Sequence, residues 1–328
     1  MTLMHSRRAA LSSLVALPLA GCWAGPYSSH EGAALAARTN DAPVLHVITS
    51  RRLAGSGAQP PYFDWRRAAE LTYAEARYAR PDRSVLGRIG SVVSGDFGMS
   101  EVSPFAGEAL DRLAEVLSSR DSLLFVHGYN QTFEAAARDA ARLGDDIGFD
   151  GRTILFTWPS KGGLFDYGYD RESAMLARDH LADTLHALLG EGRSGRVHLV
   201  AHSMGTLATL EALRGYRDRH GEAGLERLGT IVLAAPDIDF DVFKAGLSRL
   251  GPLRQKLTVI TATNDRALDL SRRLAGGDRV GALSGEQLVG LGVRIVDATD
   301  FASGLTRHDA FISNDDVRSV IRRAIERS

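Results

Sequence analysis

Cysteine is almost absent from this chain of 328 residues; a single one, Cys22, excludes any internal disulfide. Neither sign of charge is in excess, with 39 Lys+Arg against 40 Asp+Glu. That balance removes the basic footprint expected of a nucleic-acid binder. The histidines never fall in an H-E-x-x-H spacing, so no metal site is read and no cofactor is expected. Tandem repeats and long low-complexity tracts are missing. So is an apolar run long enough to span a bilayer, since the longest candidate is Ala9–Ala20. What remains is a hydrophobic content of 44%, enough for a sizeable core.

The short apolar run carries a meaning of its own. Arg7 and Arg8 precede it, and it closes on Leu19-Ala20-Gly21-Cys22. A basic start, a short apolar core and small residues at the end describe an export signal. The closing four residues resemble the lipobox of bacterial lipoproteins, which implies cleavage before Cys22 and its diacylation. Ser6-Arg7-Arg8 also resembles a twin-arginine signal. The division expected is a signal peptide over 1–21, a small-residue polar tether over 22–43 and a folded domain over 44–328. The location implied is the bacterial cell envelope, facing the periplasm. Trp23, which is not an acid, resembles outer-membrane sorting in a Gram-negative cell.

Within 44–328, strand and helix patterns alternate. Strands are read at Val44–Thr49, Ser122–Val126, Thr153–Thr157, Val197–Ala201, Thr230–Ala234, Leu257–Thr261 and Val293–Val296. Helices are read at Gly107–Ser118, Thr132–Leu143, Arg171–Leu189, Met204–Leu213, Phe240–Leu250, Ala267–Leu274 and Asp315–Arg327. Residues 62–104 resist assignment, apart from a weak alternation over Val85–Val93. The alternation predicts an α/β fold, a mostly parallel sheet with helices on both faces. Sites in such sheets form at the carboxyl ends of the strands.

The chemistry is concentrated at those ends. Val197–Gly205, VHLVAHSMG, leads an apolar strand into A-x-S-x-G, one residue away from the G-x-S-x-G nucleophile elbow. Ser203 is the candidate nucleophile. Serine needs a base, and the base needs an orienting acid, in the chain order Ser, acid, His. His308 is the candidate base; the other histidine beyond Ser203, His220, lies in a polar stretch. Asp265, past the strand Leu257–Thr261, is the candidate acid. Asp237 and Asp239 are its rivals, while Asp297 and Asp300 fall too late in the chain. The oxyanion donors expected are the backbone N–H of Met204 and that of Tyr129 or Asn130, in His127-Gly128-Tyr129-Asn130. Trp158, His127 and His202 are candidates for the substrate pocket, with a core role the alternative for Trp158 and a loop-building role for the two histidines. Asp170-Arg171-Glu172 is read as a helix start, where acids suit the helix dipole. Phe165, Tyr167 and Tyr169 are candidates for an aromatic rim.

Seven blocks, FVHGYNQTF, FTWPSKG, YDRESA, HLVAHSMGT, VLAAPDID, TNDRAL and RHDAFI, resemble in order the bacterial DUF900 group of α/β-hydrolase-like proteins. The resemblance covers about 44–325. It implies an α/β-hydrolase fold and a serine esterase or lipase-type activity, without a substrate. The function expected is hydrolysis of a small-molecule or lipid ester through an acyl-enzyme. An acyltransferase with the same triad and a non-catalytic envelope binding protein are the alternatives.

Overall fold

The computed structural model describes residues 42–55, 59–80, 98–117, 119–163, 165–190, 194–300 and 314–328. Cys22, the export signal, most of the tether, Val85–Val93 and His308 lie outside them. Nine strands form one sheet: β1 (Val44–Leu53), β2 (Phe63–Ala79), β3 (Gly98–Pro104), β4 (Ser122–Val126), β5 (Arg152–Thr157), β6 (Val197–His202), β7 (Leu228–Ala234), β8 (Leu257–Thr261) and β9 (Arg294–Asp297). Their order is β3-β2-β1-β5-β4-β6-β7-β8-β9. From β1 to β9 every neighbouring pair is parallel. Only β1–β2 and β2–β3 are antiparallel.

The helices are α1 (Ala109–Val116), α2 (Phe133–Asp146), α3 (Tyr167–Leu189), α4 (Gly205–His220), α5 (Phe240–Leu250), α6 (Arg266–Ala275), a single turn α7 (Gly285–Leu288) and α8 (Asp315–Glu326). Two apolar layers result. α3, α4 and α5 pack on one face of the sheet; α2 and α8 pack on the other. Strands β4, β6, β7 and β8 are buried at every position, as strands covered on both faces must be. This is the α/β architecture that the alternating pattern predicts, and it accords with the α/β-hydrolase fold that the family resemblance implies.

The unassigned stretch of the sequence proves to be largely strand. β2 is 17 residues long and pairs with β1 from Val44↔Arg77 to Leu53↔Phe63. Its burial is irregular because β3 flanks it only from Ala74 to Ala79 and the residues before that are mostly exposed or half-buried, so neither an apolar run nor a clean alternation marks it. α3 begins at Tyr167, four residues before the expected start at Arg171.

The strand order positions the site. From β4 the chain steps outward to β5, then returns through α3 to place β6 on the other side of β4. The connections after β4 and β6 therefore diverge, and the crevice between them opens at their carboxyl ends. His127-Gly128 leaves β4 there, and Ser203 leaves β6 beside it.

Candidate active site

Ser203 has φ 51, a left-handed conformation that costs a side-chain-bearing residue about 1–3 kcal/mol. Four hydrogen bonds hold it there. Its N–H donates to Ala234 O (2.9 Å), and its carbonyl accepts from Thr206 N (3.0 Å), Thr206 Oγ1 (2.5 Å) and Asp237 N (3.3 Å). Such a bend lifts the side chain off the sheet edge while the chain turns from β6 into α4. Ala201, standing where the elbow pattern has glycine, sits fully buried in β6 between Val126 and Leu233. The turn forms with it in place.

Two glycines make the close approach. A Cβ on Gly128 would stand 2.8 Å from Ser203 Cβ and 3.2 Å from His202 O. A Cβ on Gly205 would collide with the backbone carbonyl of His127. Only hydrogen fits at either position, so the connection after β4 lies directly against the elbow.

His127 is fully buried, and its hydrogen bonds determine its tautomer. Nδ1–H donates to Gly128 O (2.8 Å), while Nε2 accepts from Trp158 N (3.1 Å) and Thr157 Oγ1 (3.0 Å). Burial, and then the neighbouring Arg51 charge, pushes its pKa down to about 3. A neutral ring with both nitrogens committed is a loop strut, not a base. Trp158 is fully buried, stacks on His127 at 4.7 Å and donates from Nε1 to His127 O (3.0 Å). It therefore belongs to the core and does not face a substrate pocket. His202 is buried with its ring against Gly128.

The oxyanion candidates separate. Asn130, also left-handed at φ 59, donates its N–H to Asp170 Oδ2 (3.3 Å). The Asn130 N–H therefore already has an acceptor in this structure. Among the described residues, the N–H groups of Tyr129 and Met204 meet no acceptor. The Tyr129 hydroxyl donates to Gly163 O (2.8 Å), and its ring meets Tyr167 edge-on at 5.5 Å.

The three acids are used differently. Asp239 Oδ1 caps α5, accepting from Asp241 N and Val242 N. Asp237 is held through both oxygens: Oδ1 accepts from Ser271 Oγ (2.5 Å) with Arg279 Nε at 3.4 Å, and Oδ2 accepts from the Tyr167 hydroxyl (3.1 Å). Burial, then the charge of Asp237, drives the Tyr167 pKa up to about 12. Asp265 is fully buried and caps α6 through Oδ1, accepting from Ala267 N (2.9 Å) and Leu268 N (3.1 Å). Of the aromatic rim, Tyr167 is instead part of this buried network. Tyr169 lies between Arg67 and Lys161, and Phe165 is fully exposed.

Arg51 is the residue that sequence reasoning missed. It is 1% exposed at the end of β1, and its roles appear only when four separate segments meet. Burial lowers its pKa to about 10, with Glu134 and Asp170 opposing the shift. A groove of about 570 Å³ exists elsewhere, lined by Asp121, Gly151, Arg196 and His198 among others. It opens at the amino ends of β4, β5 and β6, across the sheet from Ser203.

The buried histidines predict acid lability. His46, whose Nδ1 lies 2.8 Å from the Tyr73 hydroxyl, is pushed down to about 4 by burial. Between pH 6.5 and 4, His46 and His127 are protonated in the unfolded chain and neutral in the folded one. Stability therefore falls as pH drops through that window. The steepest slope from the pair approaches about 2.7 kcal/mol per pH unit. Urea midpoints at pH 7, 5.5 and 4.5 measure it.

A left-handed serine at a strand-to-helix elbow, on a mostly parallel sheet with a glycine-lined turn beside it, defines an α/β hydrolase. The chain belongs to the family of alpha/beta hydrolases of unknown function, DUF900, whose model matches residues 107–324. No curated protein matches the chain. Among solved structures, the chain is similar to Est1E from Butyrivibrio proteoclasticus, with 8% identity, 78% of this chain and 94% of that one covered, and a TM-score of 0.39. It is also similar to a Trichoderma reesei cutinase in complex with a phosphonate inhibitor, with 12% identity, 66% and 84% coverage and a TM-score of 0.34.

Proposed function

We propose that the protein is a serine hydrolase that cleaves a carboxylic ester through an acyl-enzyme on Ser203. The observation that carries the reading is the elbow. Ser203 is held left-handed by four hydrogen bonds beneath a glycine that admits no side chain. A family resting on the hydrolase fold is consistent with this; fold alone does not fix activity.

In the mechanism proposed, His308 accepts the Ser203 proton as the hydroxyl attacks the ester carbonyl. The carbonyl π pair moves to oxygen, and the N–H groups of Met204 and Tyr129 stabilise that oxyanion. Collapse expels the alcohol, which takes the proton from His308. Water then repeats the sequence and releases the acid. Asp265 is the acid favoured to orient His308. It follows β8 at the strand end where the triad acid is expected, and it caps α6 through Oδ1. Asp237 has both oxygens engaged by Ser271, Tyr167 and Arg279. A fluorophosphonate probe tests the nucleophile. Labelling of the wild type that disappears in Ser203→Ala supports it, and equal labelling refutes it.

The proposed substrate is a small-molecule or lipid ester, and the proposed setting is the cell envelope with an anchor at Cys22. Two acyl chains hold a protein stably at a bilayer. Cys22→Ser is expected to shift the protein from the membrane to the soluble fraction on ultracentrifugation. Membrane retention by that variant counts against the anchor.

A further inference from the structure

We infer that Asp170 and Arg51 form a buried clamp that positions the turn after β4, leaving the Tyr129 N–H as the donor presented to the oxyanion. The inference rests on Ser203 as nucleophile and gives a positioning role to Asp170, which lies in the block YDRESA, and to Arg51, which lies in none of the seven.

Asp170 is fully buried in the first turn of α3. Its Oδ1 accepts from Lys161 N (2.9 Å), and its Oδ2 accepts from Ser160 Oγ (2.5 Å) and Asn130 N (3.3 Å). Burial pushes its pKa up, and these three donors pull it back. Ser160 Oγ in turn accepts from Gln131 N (3.0 Å).

Arg51 grips the same turn from the opposite side. Nη2 donates to Gln131 O (2.7 Å), Nη1 to Ser160 O (3.0 Å) and Nε to Thr157 Oγ1 (2.9 Å). Thr157 passes its own proton to His127 Nε2, and His127 Nδ1–H ends the chain on Gly128 O. Four main-chain atoms on three residues of the turn are thus bonded: Gly128 O, Asn130 N, Gln131 N and Gln131 O. Among the described residues, the N–H groups of Gly128 and Tyr129 are left without an acceptor, and Tyr129 follows the glycine that packs against Ser203 Cβ.

A buried guanidinium and carboxylate are costly to desolvate, and apolar packing would stabilise the fold as well or better. Their use here is geometric. An oxyanion donor must stand about 2.7–3.1 Å from where the charge develops, before it develops. The Asp170 bond holds Asn130 at its left-handed φ, and so fixes the turn that carries the Tyr129 N–H.

Asp170→Asn offers one acceptor oxygen where two are in use. Ser160→Ala removes the link from Asp170 to Gln131 N. Each is assayed beside wild type and Ser203→Ala with p-nitrophenyl acetate, with phenylboronic acid as a transition-state analogue. Melting curves verify folding. The expected result is a kcat loss on the order of 10² with KM within about twofold, since the donor acts only as charge develops. The Ki of phenylboronic acid should rise by the same factor as kcat/KM falls. Should Asp170→Asn not fold, Ser160→Ala decides alone. Folded variants that keep wild-type kcat/KM, beside an inactive Ser203→Ala, overturn the clamp and leave the nucleophile standing. A loss in kcat/KM without a change in Ki also overturns it. Wild-type turnover by Ser203→Ala overturns the nucleophile and the clamp together.

Discussion

Ser203→Ala is expected to lower kcat for p-nitrophenyl acetate by about 10⁴–10⁶-fold, with KM little changed. In the proposed mechanism the Ser203 hydroxyl is the atom that forms the covalent bond in the acylation step. Stability should move the other way or stay level. Alanine meets the same backbone restraints on Ser203, and the elbow hydrogen bonds are all made by main-chain atoms of that residue. A melting point within a few degrees of wild type, together with lost turnover, is the signature of a nucleophile. A variant that loses turnover and folding in parallel would instead mark Ser203 as structural. Only the first outcome accords with the strain held at this position.

The second large effect separates the acids. Asp265→Asn should lower kcat by about 10⁴-fold while leaving α6 capped, because asparagine caps helices about as well as aspartate. What it removes is the negative charge that selects the imidazole tautomer and stabilises its cation. Asp237→Asn should behave differently. Arg279 is 2% exposed, with its other recorded bond to Gly276 O, and neutralising Asp237 leaves that buried cation without its counter-charge. Breaking a buried pair costs about 3–5 kcal/mol. Asp237→Asn should therefore show a large loss in urea stability and a loss of kcat that follows it. A stable Asp237→Asn with no turnover, beside an active Asp265→Asn, would transfer the role of acid to Asp237.

The fold was largely legible in sequence because parallel strands buried on both faces write themselves as short apolar runs. Ser122–Val126, Val197–Ala201 and Leu257–Thr261 match β4, β6 and β8 within one residue. β2 was not legible. Its first half, before pairing with β3 begins at Ala74, mixes Arg66, Arg67 and Glu70 with Leu71 and Tyr73, and its register comes from pairing with β1. The helix start at Asp170 was misplaced for a related reason. Its carboxylate serves the turn of Asn130 and Ser160, and a contact forty residues away has no local signal.

By itself the sequence determined the class: an alternating α/β chain with an imperfect serine elbow and a set of blocks in family order. Those depend on local periodicity and residue type. It could name Tyr129 and Asn130 together as oxyanion donors, and Trp158 as pocket or core, but could not choose between them. The tertiary structure shows the contacts that each of them makes. Asn130 N–H is taken by Asp170, Trp158 is packed on His127, and Arg51 reaches from β1 to hold a turn eighty residues later. Each contact turns on which buried donor meets which acceptor. Desolvation demands that pairing, and only the folded chain can satisfy it.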